Sequence, residues 1–134
     1  MTPKHSGVEK VAGVHIVDRR LLVGRNRGRA LFYLPGGARE PGESDLQTLA
    51  REVTEELGVT IRPDTVSHVG TYLPFRDGRD DLLTYIAYTA RHDGEIAPHS
   101  EVEEIAWVTT ADGDRVTGAV REVMGTLVER DLID

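Results

Sequence analysis

Apolar and polar positions repeat along this chain with two different periods. From Val11 to Val17 the residues are mostly β-branched and predict a strand. Leu21-Leu22-Val23 follows after the turn-like Asp18-Arg19-Arg20, so the two segments are expected to form a hairpin. Gly24 to Gly28 reads as a basic loop, and the short apolar run Leu31–Leu34 ends at Pro35-Gly36-Gly37. Beyond Pro63-Asp64 the short period returns. It predicts strands over 66–75 and 82–90, joined by a turn at Asp77–Asp81, and another at Ile105–Val108.

Between these strands lies a helical period. Ser44 as N-cap and Gln47 three residues on make a capping box. Leu46, Leu49, Ala50, Val53 and Leu57 recur at helical spacing and form one apolar face. Gly58 stands where a left-handed C-terminal residue is wanted, and Val59 can fold back on Val53. A second amphipathic helix is predicted from Val116, Val120, Val123, Met124, Leu127 and Val128. Strands outnumber helices, and the two helices are separated by a strand-rich middle. The expected fold class is α/β: a mixed β-sheet packed between helices in an α/β/α sandwich, with residues 1–134 as one domain.

Composition narrows the chemistry. The chain has 134 residues and no cysteine, so disulfides, thiolate metal sites and cysteine nucleophiles are excluded. Sixteen Lys+Arg against 23 Asp+Glu leave a net charge of −7. That field repels a phosphate backbone, so binding of duplex nucleic acid is not expected. No apolar run approaches the ~18 residues that span a bilayer, and the first ten residues lack the apolar segment of a signal peptide. A cytoplasmic protein with no membrane partner, monomeric or homodimeric, is the expectation.

The predicted first helix breaks local rules. Glu52, Glu55 and Glu56 lie at i, i+3 and i+4, so a helix brings them together along its edge. They also occupy its last turns, where the macrodipole disfavours acids. One reading is a solvated acidic face. The other is a hard-cation site, because carboxylates at this spacing can share Mg²⁺ and leave room for substrate phosphates. The preceding loop, Gly36 to Glu43, adds glycines that allow close backbone approach, and one more acid.

Taken together, the segment runs Gly37, five residues, Glu43, seven residues, then Arg51-Glu52-Val53-Thr54-Glu55-Glu56-Leu57-Gly58-Val59. It resembles the signature of the Nudix hydrolases, G, five any, E, seven any, R-E-U-x-E-E-x-G-U with U aliphatic, at every fixed position from 37 to 59. The resemblance implies a Nudix-type sandwich of the MutT-like kind. It also implies an enzyme that uses Mg²⁺ or Mn²⁺ to cleave the diphosphate bridge of a nucleoside diphosphate derivative. By it, Glu52, Glu55 and Glu56 become metal ligands and catalytic residues, and Gly36 lends a backbone carbonyl. Arg51 joins the catalytic set as a brace. Glu43 is a brace or a further metal ligand, and Gly37 lies beside the substrate. In this family an acid from a later loop often acts as ligand or general base, and Glu101 fits best here, ahead of Glu103 and Glu104.

Arg25, in the basic cluster with Arg27 and Arg29, is expected to hold a substrate phosphate through its guanidinium fork. The five histidines show no metal-ligand spacing, Trp107 is expected to be a packing anchor, and no serine has the setting of a nucleophile elbow. Three functions compete: a pyrophosphohydrolase, a nucleotide-sensing module without catalysis, and a structural module with an acidic face. The intact acid set favours the enzyme. The small-nucleotide partner is expected to be a (d)NTP, with ADP-ribose or another nucleotide conjugate as the alternative. A loose match of Pro74 to ADP-ribose hydrolases speaks for that alternative.

Overall fold

The computed structural model describes residues 2–134. The strands are β1 (His5–Val14), β2 (Ile16–Val17), β3 (Arg20–Asn26), β4 (Gly36–Ala38), β5 (Thr60–Ile61), β6 (Ser67–Tyr72), β7 (Leu82–Thr89), β8 (His92–Asp93) and β9 (Val102–Val108). The helices are α1 (Asp45–Leu57) and α2 (Gly118–Glu129), with short 3₁₀ turns at Pro63–Thr65 and Thr110–Arg115. A mixed sheet runs in the order β4-β1-β7-β6, in which β1 and β7 are parallel and the other neighbours antiparallel. A second, antiparallel sheet runs β2-β3-β9, and β5 pairs with β8.

Alternation along the strands builds two cores. Val11 and Leu22 point to one side, where Leu49, Val53 and Leu57 of α1 meet them together with Val59. Ala12, Val14, Leu21 and Val23 point to the other, against Val120, Val123, Met124 and Leu127 of α2. The result is the expected α/β/α sandwich. Leu49 has no exposed surface. Leu49→Ala should therefore cost about 2–5 kcal/mol, the usual range for a fully buried leucine. In urea unfolding the midpoint should fall while the slope stays unchanged, because α1 loses packing and not its fold.

The structure corrects three sequence expectations. Val11–Val14 does not pair with Leu21–Val23. It lies parallel to β7, with Val11 opposite Ile86, and the hairpin is confined to Ile16 and Val17 against Arg20 and Leu21. Asp18 and Arg19 form its turn at φ 51° and 63°, the twist that tight hairpins need. Val128 is 44% exposed and so leaves the apolar face of α2. Trp107 is 38% exposed and stands beside His15, their rings 5.8 Å apart, rather than anchoring a core. Among the described residues no helix is long and apolar enough to cross a membrane.

Candidate active site

The site grows from the two ends of α1. At its start the capping box forms as expected: the Ser44 hydroxyl accepts from the Gln47 amide at 3.2 Å, and the Gln47 side chain accepts from the Ser44 amide at 2.9 Å. At its end Gly58 adopts φ 70° and donates to the Thr54 carbonyl at 3.0 Å. The loop ahead of β9 then closes over the last turn, since the Ala97 amide donates to the Leu57 carbonyl and the His99 amide to the Glu56 carbonyl, at 3.1 and 2.9 Å. These carbonyls have no partner within the helix, and the loop that satisfies them carries Glu101 toward the acids.

Glu56 is the best shielded of the three. Burial is the largest influence and pushes its carboxyl up to about 8, against the pull of the Gly36 N–H, which donates to its Oε2 at 2.9 Å. The negative charges of Glu52, Glu55 and Glu101 push it further in the same direction. The Glu52 carboxyl is also raised by burial, and its Oε1 accepts from Arg51 Nη1 at 2.8 Å. Glu55 is exposed on the same edge.

The paired glycines are needed by geometry. A Cβ on Gly36 would stand 2.1 Å from the Val11 carbonyl oxygen, and one on Gly37 would stand 2.6 Å from the Glu52 carboxyl carbon. Only a bare backbone lets β4 lie between β1 and the acids.

Glu43 is fully engaged. Arg51 donates to both its oxygens at 2.8 Å through Nε and Nη2, and the Glu40 amide and the buried Thr48 hydroxyl add bonds at 2.9 and 3.0 Å. The Arg51 bonds lead in holding its carboxyl at about 2. Arg51 also reaches the Ala38 carbonyl at 3.3 Å, so one guanidinium joins the loop, β4 and Glu52.

Beside Gly36, Gly37 and Glu56 opens a cleft of about 850 Å³, with Glu101 on its wall. Lys10, Arg27 and Arg29 line it, and Arg25 does not. Arg25 is occupied at β9 instead. It donates to Glu104 at 2.9 and 3.0 Å, to Glu103 at 3.2 Å and to the Arg29 carbonyl at 3.0 Å. The fork expected to hold phosphate holds the start of β9, and the cations at the cleft are its neighbours.

Among the described residues no three carboxylate or imidazole side chains converge into a metal cluster as they stand. The donor set nevertheless fits a hard divalent cation. Glu52 and Glu56 offer oxygen ligands that are partly stripped of water and mutually repelled, and each has one oxygen tied to the protein and one free of that bond.

The model of the NUDIX domain matches residues 9–126, covering α1, most of α2 and the whole glycine-acid segment. The chain belongs to the Nudix family. Among its relatives, a Mycobacterium tuberculosis protein named MutT4 is 42% identical over 75% of this chain. The human 8-oxo-dGDP phosphatase NUDT18 is 46% identical over 39% of it. The matches span 42% and 17% of those curated relatives' own lengths, less than half in each case. The crystal structure of a MutT NUDIX hydrolase from Burkholderia pseudomallei shares the fold with a TM-score of 0.75 at 18% identity, covering 95% of this chain and 99% of that one.

In this Nudix chain Glu52, Glu55, Glu56, Gly36, Gly37, Arg51 and Glu43 lie together along α1 and β4, and Glu101, the acid favoured from the later loop, stands on the wall of the adjoining cleft. Sequence reasoning missed Tyr33 and Lys10, and within the basic cluster it favoured Arg25 over Arg27 and Arg29, the two that line the cleft. Tyr33 lines the cleft, its buried hydroxyl has no hydrogen-bond partner among the described residues, and burial pushes it up to about 12. In the sequence it sits within an apolar run, where nothing distinguishes it from a core residue. Lys10 becomes visible as a cleft residue only once β1 and the loop after β3 line the same cleft.

Proposed function

We propose that this Nudix chain is a pyrophosphohydrolase that cleaves the diphosphate bridge of a small nucleoside diphosphate derivative with Mg²⁺ or Mn²⁺, and that its preferred substrate is a (d)NTP. The observation that carries this reading is Glu56: a shielded carboxyl at the edge of a nucleotide-sized cleft, oriented by a glycine amide and surrounded by other acids. Glu52 and Glu56 would hold the cation, with Glu55 beside them and the Gly36 backbone close by. When bound, it would neutralise phosphate oxygens and make water a better nucleophile at neutral pH.

The chain's own residues would do the rest. Glu56 keeps a proton near neutrality in the metal-free protein, and a cation would displace it. Glu101, exposed and close enough to raise the Glu56 carboxyl, would take a proton from the attacking water. Lys10, Arg27 and Arg29 would meet the phosphates. Arg51 and Glu43 would brace the loop. The relative whose name specifies an oxidised guanine nucleotide supports the choice of nucleotide over conjugate.

The test is kcat/KM for dGTP, 8-oxo-dGTP, ADP-ribose and diadenosine polyphosphates with each metal. A (d)NTP is expected to lead. An advantage of more than ~10-fold for ADP-ribose, about 1.4 kcal/mol in transition-state binding, would overturn the substrate assignment. Absence of turnover on the whole panel would overturn the activity.

A further inference from the structure

Two charged clasps hold the segment between β4 and α1. The first, Arg51 with Glu43, lies at fixed positions of the family motif. The second does not. Arg39, which follows β4 directly, donates through Nη1 to one carboxylate oxygen of Asp45 and through Nη2 to Glu9 at 3.3 Å. The other Asp45 oxygen accepts the Tyr88 hydroxyl. The Arg39 amide also donates to the Glu9 carbonyl at 3.1 Å, extending the β1–β4 ladder by one bond. Tyr88 stands on β7 opposite Gly13 of β1. One partly shielded network therefore joins the end of β4, the first residue of α1 and the two central strands, with the Arg39 and Asp45 side chains 23% and 26% exposed.

What this network holds in place is short. β4 has three residues, it is an edge strand, and its two glycines make no side-chain contacts of their own. Yet its Gly36 amide must meet Glu56, and its Gly37 backbone must lie against Glu52. A slide of β4 along α1 would break the first contact and open the second. As a helix N-terminal acid alone, Asp45 would gain from the macrodipole without needing Arg39 or Tyr88. Instead both its oxygens are committed to them.

We propose that Arg39, Asp45 and Tyr88 form a positioning clasp that keeps β4 pressed against Glu52 and Glu56 and thereby sets the affinity of those acids for a divalent cation. The cation half rests on the function proposed above; the positioning half does not. None of the three residues touches the reacting atoms. They act through the strand, as groups that orient ligands from behind commonly do.

The test compares wild type with Tyr88→Phe and Asp45→Asn. Arg76→Gln serves as control, because it breaks another partly shielded bidentate pair, Arg76 with Asp81 at 2.8 and 2.7 Å, which belongs to the turn between β6 and β7. Amide exchange of Gly36 is followed by NMR in metal-free protein, and Mn²⁺ binding by electron paramagnetic resonance. In both clasp variants Gly36 exchange should accelerate more than that of the slowest core amides, and Mn²⁺ affinity should fall about tenfold or more. At saturating metal kcat should stay close to wild type, and the control should change neither readout. Gly36 exchange that only follows global stability would overturn the clasp. Unchanged Mn²⁺ affinity beside a mobile Gly36 would overturn its link to the cation. A wild type that binds no Mn²⁺ would overturn that link and the metal reading together, while Gly36 exchange still decides the clasp.

Discussion

Glu56→Gln is expected to lower kcat by at least ~10²-fold, the scale on which losing one preorganised electrostatic partner is felt. Glu52→Gln should do the same. The fold should survive both changes. A glutamine at 56 can still accept from the Gly36 amide, and a glutamine at 52 removes one of the crowded negative charges at the end of α1. Steady-state rates at saturating metal, with circular dichroism to confirm the fold, provide the check. Wild-type turnover by a folded double variant would remove these acids from catalysis. The deficit should appear in kcat and kcat/KM together, because these acids would hold the cation that meets the negative charge developing on the phosphate, and would not act in uniform binding of the nucleotide.

The second large effect links pH, metal and stability through the same carboxyl. In the metal-free folded chain Glu56 titrates at about 8, against an ordinary 4.5. The folded state therefore holds a proton that the unfolded chain releases between those values. Its contribution to stability is complete below the lower value and is lost as pH rises through the upper one. Glu43 acts in the opposite sense: held at about 2 by Arg51, it contributes above 4.5 and loses that contribution as pH falls toward 2.

In EDTA the wild type should thus melt at a lower temperature at pH 8.5 than at pH 5.5, and Glu56→Gln should flatten this alkaline side. Mg²⁺ or Mn²⁺ at pH 8.5 should restore the loss. At a hundred times Kd, binding to the native state adds about 2.7 kcal/mol, on the order of 10 °C in Tm for a chain of this size. A Glu52→Gln, Glu56→Gln variant should show little of that shift. Equal metal-induced shifts in both proteins would place the cation elsewhere.

Much of α1 was legible in the sequence because its determinants are local. A capping box, a 3.6-residue apolar repeat and a glycine stop each act within a turn or two of the chain, so Ser44, Leu49 and Gly58 do in the structure what their spacing predicts. The same locality puts Glu52, Glu55 and Glu56 on one edge, and the motif from Gly37 to Val59 identified the family and the glycines beside those acids. The two-period pattern also fixed the class of the fold, since strands with one face toward each helix require a sandwich.

Contacts between distant parts of the chain were decided by tertiary structure alone. Period-two alternation marks Val11–Val14 as a strand but says nothing of its neighbour, and the structure pairs it in parallel with β7 rather than with the next segment. Arg25 carries the same charge as Arg27 and Arg29; only the β3–β9 ladder, which sets it opposite Glu104, separates the structural arginine from those at the cleft. Glu101 approaches Glu56 because a loop with no regular period satisfies the open carbonyls of α1. Arg39, Asp45 and Tyr88 meet across three elements, at positions where each alone is an ordinary polar residue. Local hydrogen bonding and side-chain periodicity are written in neighbouring residues. Partner choice depends on which surfaces are still unsatisfied once the chain has closed on itself.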